Sequence, residues 1–429
     1  MNRSGRIAVV GSGISGLAVA DALRDRARVT LFEAGSHFGG HSHTVDLQLE
    51  GARHGVDTGF LVFNHRTYPR LKALFERLGV ATAPSDMSFS VQVPAQGLEW
   101  SGSSLNSVFA QRRNLLRPRF LGMLVQILRF NRLATELAES GQAETLLEPI
   151  GDFLDRHRFG AAFREAYLLP MLGCIWSCPT GQMLRFPVAT MVRFCHNHGL
   201  LQVRDRPQWM TVAGGSREYV RRVVDGLPDA RLNCPVRQLR RTAAGAVVST
   251  DAGSEHFDDV VLACHTDQSL ALLADADADE RTVLGAIRYQ PNVALLHTDT
   301  DVLPRRRLAW AAWNYERAVD VQAEQGAVCL HYLINRLQPL PWQTPVIVSL
   351  NPSRPVDPRR VYGRFDYSHP VFDAAALAAQ QRLPALQGRR HTWFCGAWTR
   401  YGFHEDGLMS GETVAAVLGQ RLCAPRAAA

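Results

Sequence analysis

Lysine is almost missing from this chain. Lys72 is the single lysine among 47 basic residues in a total of 429, the rest being arginine. That absence removes Schiff-base lysines, lysine bases and lysine-held waters from nearly every mechanism open to the protein. The eight cysteines form no CxxC pair, which argues against a disulfide framework or a zinc site and predicts buried free thiols in a reducing compartment. No uninterrupted apolar run reaches the roughly 18 residues of a membrane-spanning helix. The first apolar run, Ile7–Val10, begins too early to leave room for a signal peptide. Together these features predict a cytoplasmic protein. The formal charge of +7 comes with no recognition motif for nucleic acid, so no nucleic-acid partner is expected.

What is present is ordinary globular material. Apolar residues make up 46% and charged residues 20%, which excludes a disordered chain, a collagen-like fibre or a coiled coil. The length suits two to three domains at roughly 100–200 residues each. No internal repeat is visible, and only the Ala/Pro-rich tail from Cys423 to Ala429 reads as disordered.

The first fifty residues carry a motif with a mechanism. Ile7–Val10 reads as a buried strand, followed at once by Gly11-Ser12-Gly13-Ile14-Ser15-Gly16 and a helix rich in small residues. A second strand, Val29–Phe32, ends in Glu33, 22 positions beyond Gly11. Gly11 suits a tight turn, Gly13 close approach of backbone amides to a pyrophosphate, and Gly16 contact between helix and strand. The helix N-terminus stabilises phosphate charge, and Glu33 can accept hydrogen bonds from ribose hydroxyls. The pattern predicts dinucleotide binding, and because Glu33 would repel a 2′-phosphate, FAD or NAD is favoured over NADP.

Six residues past the acid stands Gly39-Gly40, followed by His41-Ser42-His43-Thr44. This resembles the signature of the flavin amine oxidase and phytoene desaturase superfamily, in which the glycine pair closes over the FAD pyrophosphate. An arginine commonly follows the pair there; here the position is His41, whose neutral imidazole can still donate a hydrogen bond. His41 and His43 read as loop histidines rather than metal ligands, and no metal is expected. Further segments extend the resemblance: His54–Phe60, Trp209–Val220, Leu232–Val236, His391–Gly396 and Gly402–Thr413. It implies a cofactor-binding set of Gly11, Gly13, Ile14, Ser15, Gly16, Glu33, Ala34, Gly39, Gly40, His41, Ser42, Thr58, Gly59, Phe60, Val236, Gly396, Gly407 and Leu408. Val236 would cap the adenine through backbone atoms. A helix read from Leu408 onward would aim its N-terminus at the flavin.

The implied fold is α/β: a Rossmann-type (GR2-like) FAD-binding domain assembled from discontinuous segments, with an α+β substrate domain containing a helical insertion. Residues 1–80, 205–285 and 386–429 are assigned to the FAD domain. Residues 81–204, read as mostly helical, and 286–385 are assigned to the substrate domain. Within the superfamily the chain is similar to the flavoprotein portion fused to plant cyclopropane fatty acid synthases, through Phe63–Pro69, Phe194–Leu200, Asn335–Gln338, Ser368–Phe372 and Gly402–Gly407. That association implies an acyl-lipid substrate.

The expected chemistry is FAD-dependent hydride abstraction from a hydrophobic substrate, a fatty acyl chain being favoured. Amine oxidation yielding peroxide stays open but lacks its customary lysine. Redox-neutral lipid isomerisation is also compatible with the sequence, as is a non-catalytic flavoprotein partner of a lipid methyltransferase. His404, Glu405 and Asp406 are candidates to remove a proton as hydride leaves, although Glu405 or Asp406 could instead cap the helix that follows. Trp176, His196, His198, Trp313, Trp398 and Tyr401 are candidate pocket residues. Six arginines between Arg112 and Arg132, with no acid among them and leucines interleaved, mark a candidate peripheral contact with an anionic membrane. The sequence sets no oligomeric state.

Overall fold

The first apolar run becomes the central strand of a parallel sheet. In a computed structural model, which describes residues 5–142, 146–202, 206–318 and 327–423, β1 (Arg6–Val10) pairs with β2 (Arg28–Phe32) on one side and Asp259–Leu262 on the other. Ala230–Arg231 extends the sheet beyond β2, and Thr392–Phe394 extends it beyond Asp259–Leu262. Four of the five residues in each of β1 and β2 are buried without alternation, as parallel strands covered on both faces require. Between β1 and β2 runs α1 (Ile14–Leu23). A Cβ on Gly16 would lie 1.9 Å from the Gly11 carbonyl oxygen, so only glycine lets the helix start this close to the turn.

A second, seven-stranded sheet runs in the order Val361–Pro370, Tyr289–His297, Ile347–Leu350, Cys329–Leu333, Trp313–Glu316, Phe89–Val93, Leu98–Ser101. Its neighbours are antiparallel except Phe89–Val93 beside Trp313–Glu316. The two segments 89–101 and 289–370 thus build one layer. This corrects the helical reading of 81–204 at its start, where Thr82–Ser85, Phe89–Val93 and Leu98–Ser101 are strands. Phe89, Val91 and Val93 alternate with Ser90 and Gln92, a period of two. The polar side is buried as well, since Ser90 donates to Asn314 and Gln92 to Glu316.

Helices begin at Leu105, and the longest is Pro118–Glu139. With Ile150–Arg156, Leu169–Trp176 and Val188–Asn197 it encloses a core of Phe130, Phe153, Phe163, Phe186 and Val192. The C-terminal helix, His404–Cys423, starts four residues earlier than its apolar spacing predicts. The tail expected to lack order falls outside the described residues from 424 on. Cys174, Cys178, Cys195, Cys234, Cys264, Cys329 and Cys395 are free thiols. Among the described residues, no helix is long and apolar enough to cross a membrane.

Candidate functional site

Where β1 ends and α1 begins, a cavity of about 930 Å³ opens. Its nucleotide-like end is lined by Gly11, Ser12, Gly13, Ile14, Ser15, Glu33, Ala34, Gly39, Gly40 and His41. A Cβ on Gly13 would meet nothing within 4 Å, so the backbone here faces open space. Gly13 is also the N-cap of α1 and gives it no side-chain cap, which leaves first-turn amides free to meet an anion. Glu33 is held firmly: one carboxylate oxygen accepts from the Ser12 amide at 3.0 Å and its hydroxyl at 2.5 Å, the other from the Gly35 amide at 2.8 Å.

His41 lies against this cradle with its Nε2 buried and unpartnered. Burial, reinforced by His369, His265, His404 and His37, holds its pKa well below the ordinary imidazole value, so it faces the cavity uncharged. Five further histidines line the cavity: His37, His198, His265, His369 and His404. Among the described residues no arginine or lysine does; Glu33, Asp267 and Asp366 supply its charge. Lys72 sits on an outer helix, paired with Glu76 at 3.4 Å.

The C-terminal helix reaches the cavity with its first residue. His404 stacks on Phe60 at 3.7 Å between ring centroids, and its Nε2 lies 2.9 Å from the Ser42 hydroxyl and 3.2 Å from that of Tyr219. Burial depresses its pKa to about 3. Glu405 and Asp406, candidate bases by sequence, do not line the cavity. Both oxygens of Glu405 accept backbone N–H bonds from Arg70 and Leu71, at 2.9 and 3.0 Å, capping the helix Pro69–Leu78. Asp406 accepts from the amides of Tyr401 and Phe403. These two carboxylates are therefore committed to backbone amides, and only the histidine of the trio faces the site.

Of the other expected cofactor contacts, Gly59, Phe60, Val236 and Gly396 line the cavity. Gly16, Ser42, Thr58, Gly407 and Leu408 stand behind it. Thr58 shares a hydrogen bond of 2.7 Å with the Tyr367 hydroxyl, and Gly407 lets its helix close on Ile14 and Ser15, which a Cβ would meet at 2.7 and 2.9 Å. Among the expected pocket residues, His198, Trp313 and Trp398 line the cavity, whereas Trp176, His196 and Tyr401 do not. Trp176 belongs to the helical core, and His196 falls two residues short of the helix-end position that faces inward.

Away from the glycines, the cavity runs between the seven-stranded sheet and the helices. Leu61, Val62, Tyr68, Met87, Ile175, Phe194, Leu200, Trp209, Trp313, Tyr332 and Phe403 form its wall there. His198 is a titratable nitrogen base in that wall. Its Nδ1 lies 3.0 Å from the Phe194 carbonyl and its ring stacks on Phe194 at 3.9 Å. Burial holds its pKa down to about 4. Sequence reasoning missed Tyr68, Met87, Tyr332 and His369 as lining residues. Tyr68 and His369 fall in segments that carry the family resemblance without a role of their own, and Met87 and Tyr332 carry no local signal.

A strand–glycine turn–helix cradle opening into an apolar chamber is the arrangement of a nucleotide-bearing redox enzyme. The pattern of the flavin containing amine oxidoreductases matches residues 14–302. This chain belongs to that family. It is 28% identical over 311 residues to the carotenoid phi-ring synthase of Streptomyces griseus, across 66% of this chain and 58% of that protein. The matched region thus spans less than two thirds of the relative's length. In fold it is similar to the CLA-producing fatty acid isomerase from P. acnes, with a TM-score of 0.70 and 16% identity over 97% of this chain and 99% of that one. It is also similar to cyclohexylamine oxidase from Brevibacterium oxydans IH-35A, with a TM-score of 0.67 and 16% identity over 97% and 99% of the two chains.

The family is one of flavin-containing oxidoreductases, and the residues of this chain fit a flavin cofactor. Open space at Gly13 and the uncapped start of α1 suit a phosphate. The orphaned Nε2 of His41 is a buried group in want of a partner, and a phosphate oxygen would satisfy it. The Glu316–Cys329–His331 group has metal-ligating residue types. It belongs to the opposite face of the seven-stranded sheet, where Arg354, Ser353 and Gln92 donate to Glu316.

Proposed function

We propose that the chain is an FAD-dependent oxidoreductase acting on an aliphatic, fatty acyl substrate. The observation that carries this reading is the chamber beyond the glycines, whose described wall is mainly aliphatic and aromatic; of the acids that line the whole cavity, Glu33 is held by Ser12 and Gly35, and Asp267 and Asp366 stand exposed. A protonated amine brought into such a wall would lose its hydration without a counter-charge, whereas an acyl chain loses only apolar contact with water. A fatty acid isomerase and a carotenoid ring synthase among the similar proteins support an apolar substrate; cyclohexylamine oxidase supports amine oxidation instead.

Bound FAD supplies a two-electron acceptor for hydride. The chain's own residues do the rest. Trp313, Tyr332, Met87 and Ile175 hold the chain and exclude water. With Nδ1–H donating to the Phe194 carbonyl, His198 stays neutral and is the group placed to accept a proton from the substrate, burial weakening it as a base until the proton arrives with a charge to share. His404, bonded to Ser42 and Tyr219, keeps Phe60 and the start of the C-terminal helix in place.

The test is anaerobic mixing of the purified flavoprotein with fatty acids, acyl phospholipids and a panel of amines. Bleaching of the flavin band by an acyl lipid, with loss of two hydrogens in the product by mass spectrometry, is the expected result. A product of unchanged mass with a displaced double bond would assign redox-neutral isomerisation to the same chamber. Bleaching by amines alone overturns the acyl reading.

A further inference from the structure

The exposed apolar side chains of this protein are gathered on one face. Seven of the eleven large hydrophobics that stand exposed among the described residues, including Leu105, Leu116, Val125 and Leu308, come from four neighbouring segments. On the helix Pro118–Glu139, Leu121, Val125 and Leu128 follow at spacings of four and three residues and share one stripe, while Phe120, Met123 and Phe130 bury the opposite side. The short turn Arg112–Leu116 leads into that helix and leaves Leu116 87% exposed. Leu105 is 79% exposed at the start of the preceding helix, which packs beside the turn Arg307–Ala309 bearing Leu308.

The same face is basic. Among the described residues, Arg132 alone of the six arginines between 112 and 132 has a carboxylate within reach, Glu136 at 3.9 Å. Arg112 and Arg113 instead donate to backbone carbonyls, and Arg129 donates to the His157 carbonyl and lies over Phe159. Arg117 and Arg119 border a surface pocket of about 80 Å³ that Phe120 and Met123 also line, together with Glu165, which is paired with Arg317.

We propose that this face docks onto an anionic lipid bilayer, with the leucine stripe entering the acyl boundary and the arginines meeting lipid phosphates. Charge and exposed hydrocarbon in one surface are what such a boundary recognises. Hydrocarbon that stands clear of the surface adds nothing to a grip on a nucleic-acid backbone. A second copy of the chain would bring two unpaired arginine rows against each other. The inference stands on the surface alone, so its failure leaves the acyl-oxidation reading untouched.

The experiment is flotation of the flavin-loaded protein with phosphatidylglycerol vesicles and with pure phosphatidylcholine vesicles. Binding to the anionic vesicles, weakened by salt and absent on phosphatidylcholine, is the expected result. Leu116→Glu combined with Val125→Glu should abolish it. Arg117→Gln and Arg119→Gln should each weaken partitioning about fivefold. Val417→Glu, exposed on the C-terminal helix, should leave it unchanged. Equal partitioning of the double glutamate variant and the parent overturns the proposal. So does absence of binding to anionic vesicles, or a dimer by light scattering that the double variant dissolves.

Discussion

The Nδ1 of His198 donates to the carbonyl of Phe194, one helical turn earlier and 3.0 Å away. This bond fixes the tautomer and leaves the other ring nitrogen as the acceptor of a side chain that lines the cavity. His198→Gln should lower turnover of an acyl substrate by about 10²-fold or more, with KM and flavin content little changed. Single-turnover flavin reduction measures this. An unaltered rate would make His198 a wall residue.

His41 is predicted to hold the cofactor rather than the fold. His41→Ala removes a donor that the cradle leaves unpaired, and should weaken flavin binding about tenfold, or roughly 1–2 kcal/mol. Release of flavin fluorescence on serial dilution reads the change. The apoprotein's Tm should stay within a few degrees of the parent.

Two glycines of the same turn should fail differently. Gly13→Ala adds a methyl group where nothing lies within 4 Å, so the chain should fold yet lose flavin from the space the methyl occupies. Gly16→Ala drives a Cβ to 1.9 Å from a carbonyl oxygen and should destabilise the fold itself by several kcal/mol. Thermal unfolding beside flavin absorbance separates the two outcomes.

Stability should fall on acidification from about pH 6.5 toward 4. Burial holds His43, His198 and His369 near 4 and His404 near 3, below the ordinary 6.5. Between those values the unfolded chain binds protons that the folded chain refuses, so acid favours unfolding. Asp57 and Asp406, raised by burial to about 6, act in the opposite sense: as pH falls through 6 the folded chain takes up their protons first. His41, His265 and His297 are held low by burial as well, and Asp259 and Glu405 are raised, so the histidines still outnumber the carboxyls. A Tm that stays level or rises over this range contradicts the balance.

Glu405→Ala should cost about 1–2 kcal/mol of stability, the usual loss of a helix N-cap, because both oxygens cap Pro69–Leu78. Turnover per bound flavin should be unchanged at a temperature where the variant is folded. A selective loss of turnover would make Glu405 a candidate base again.

How much of this was legible in the sequence depended on range. The strand, turn, helix and strand from Arg6 to Phe32 are a local pattern, and the sheet contains them as read. The strand Phe89–Val93 was also written locally, in its alternating Phe-Ser-Val-Gln-Val, but the helical spacing that follows from residue 118 overshadowed it. The role of Glu405 was not written locally at all. Its partners are the amides of Arg70 and Leu71, and no spacing around residue 405 reports a helix end that far back in the chain. Similarly, Tyr332 reaches the cavity because its strand pairs with Trp313, a contact that only the assembled sheet defines.

The parallel sheet has a temporal consequence. β1 and β2 precede the edge strand Thr392–Phe394 and the helix that His404 begins by about 360 residues. On a ribosome adding about 5–20 residues per second, tens of seconds pass between them. For the last third or so of that interval, from Asp259–Leu262 until Thr392 emerges, the open edge of Asp259–Leu262 would present unpaired strand hydrogen bonds and bare apolar side chains. The cofactor cradle therefore closes only after the segment from Thr392 into the helix that His404 begins has emerged.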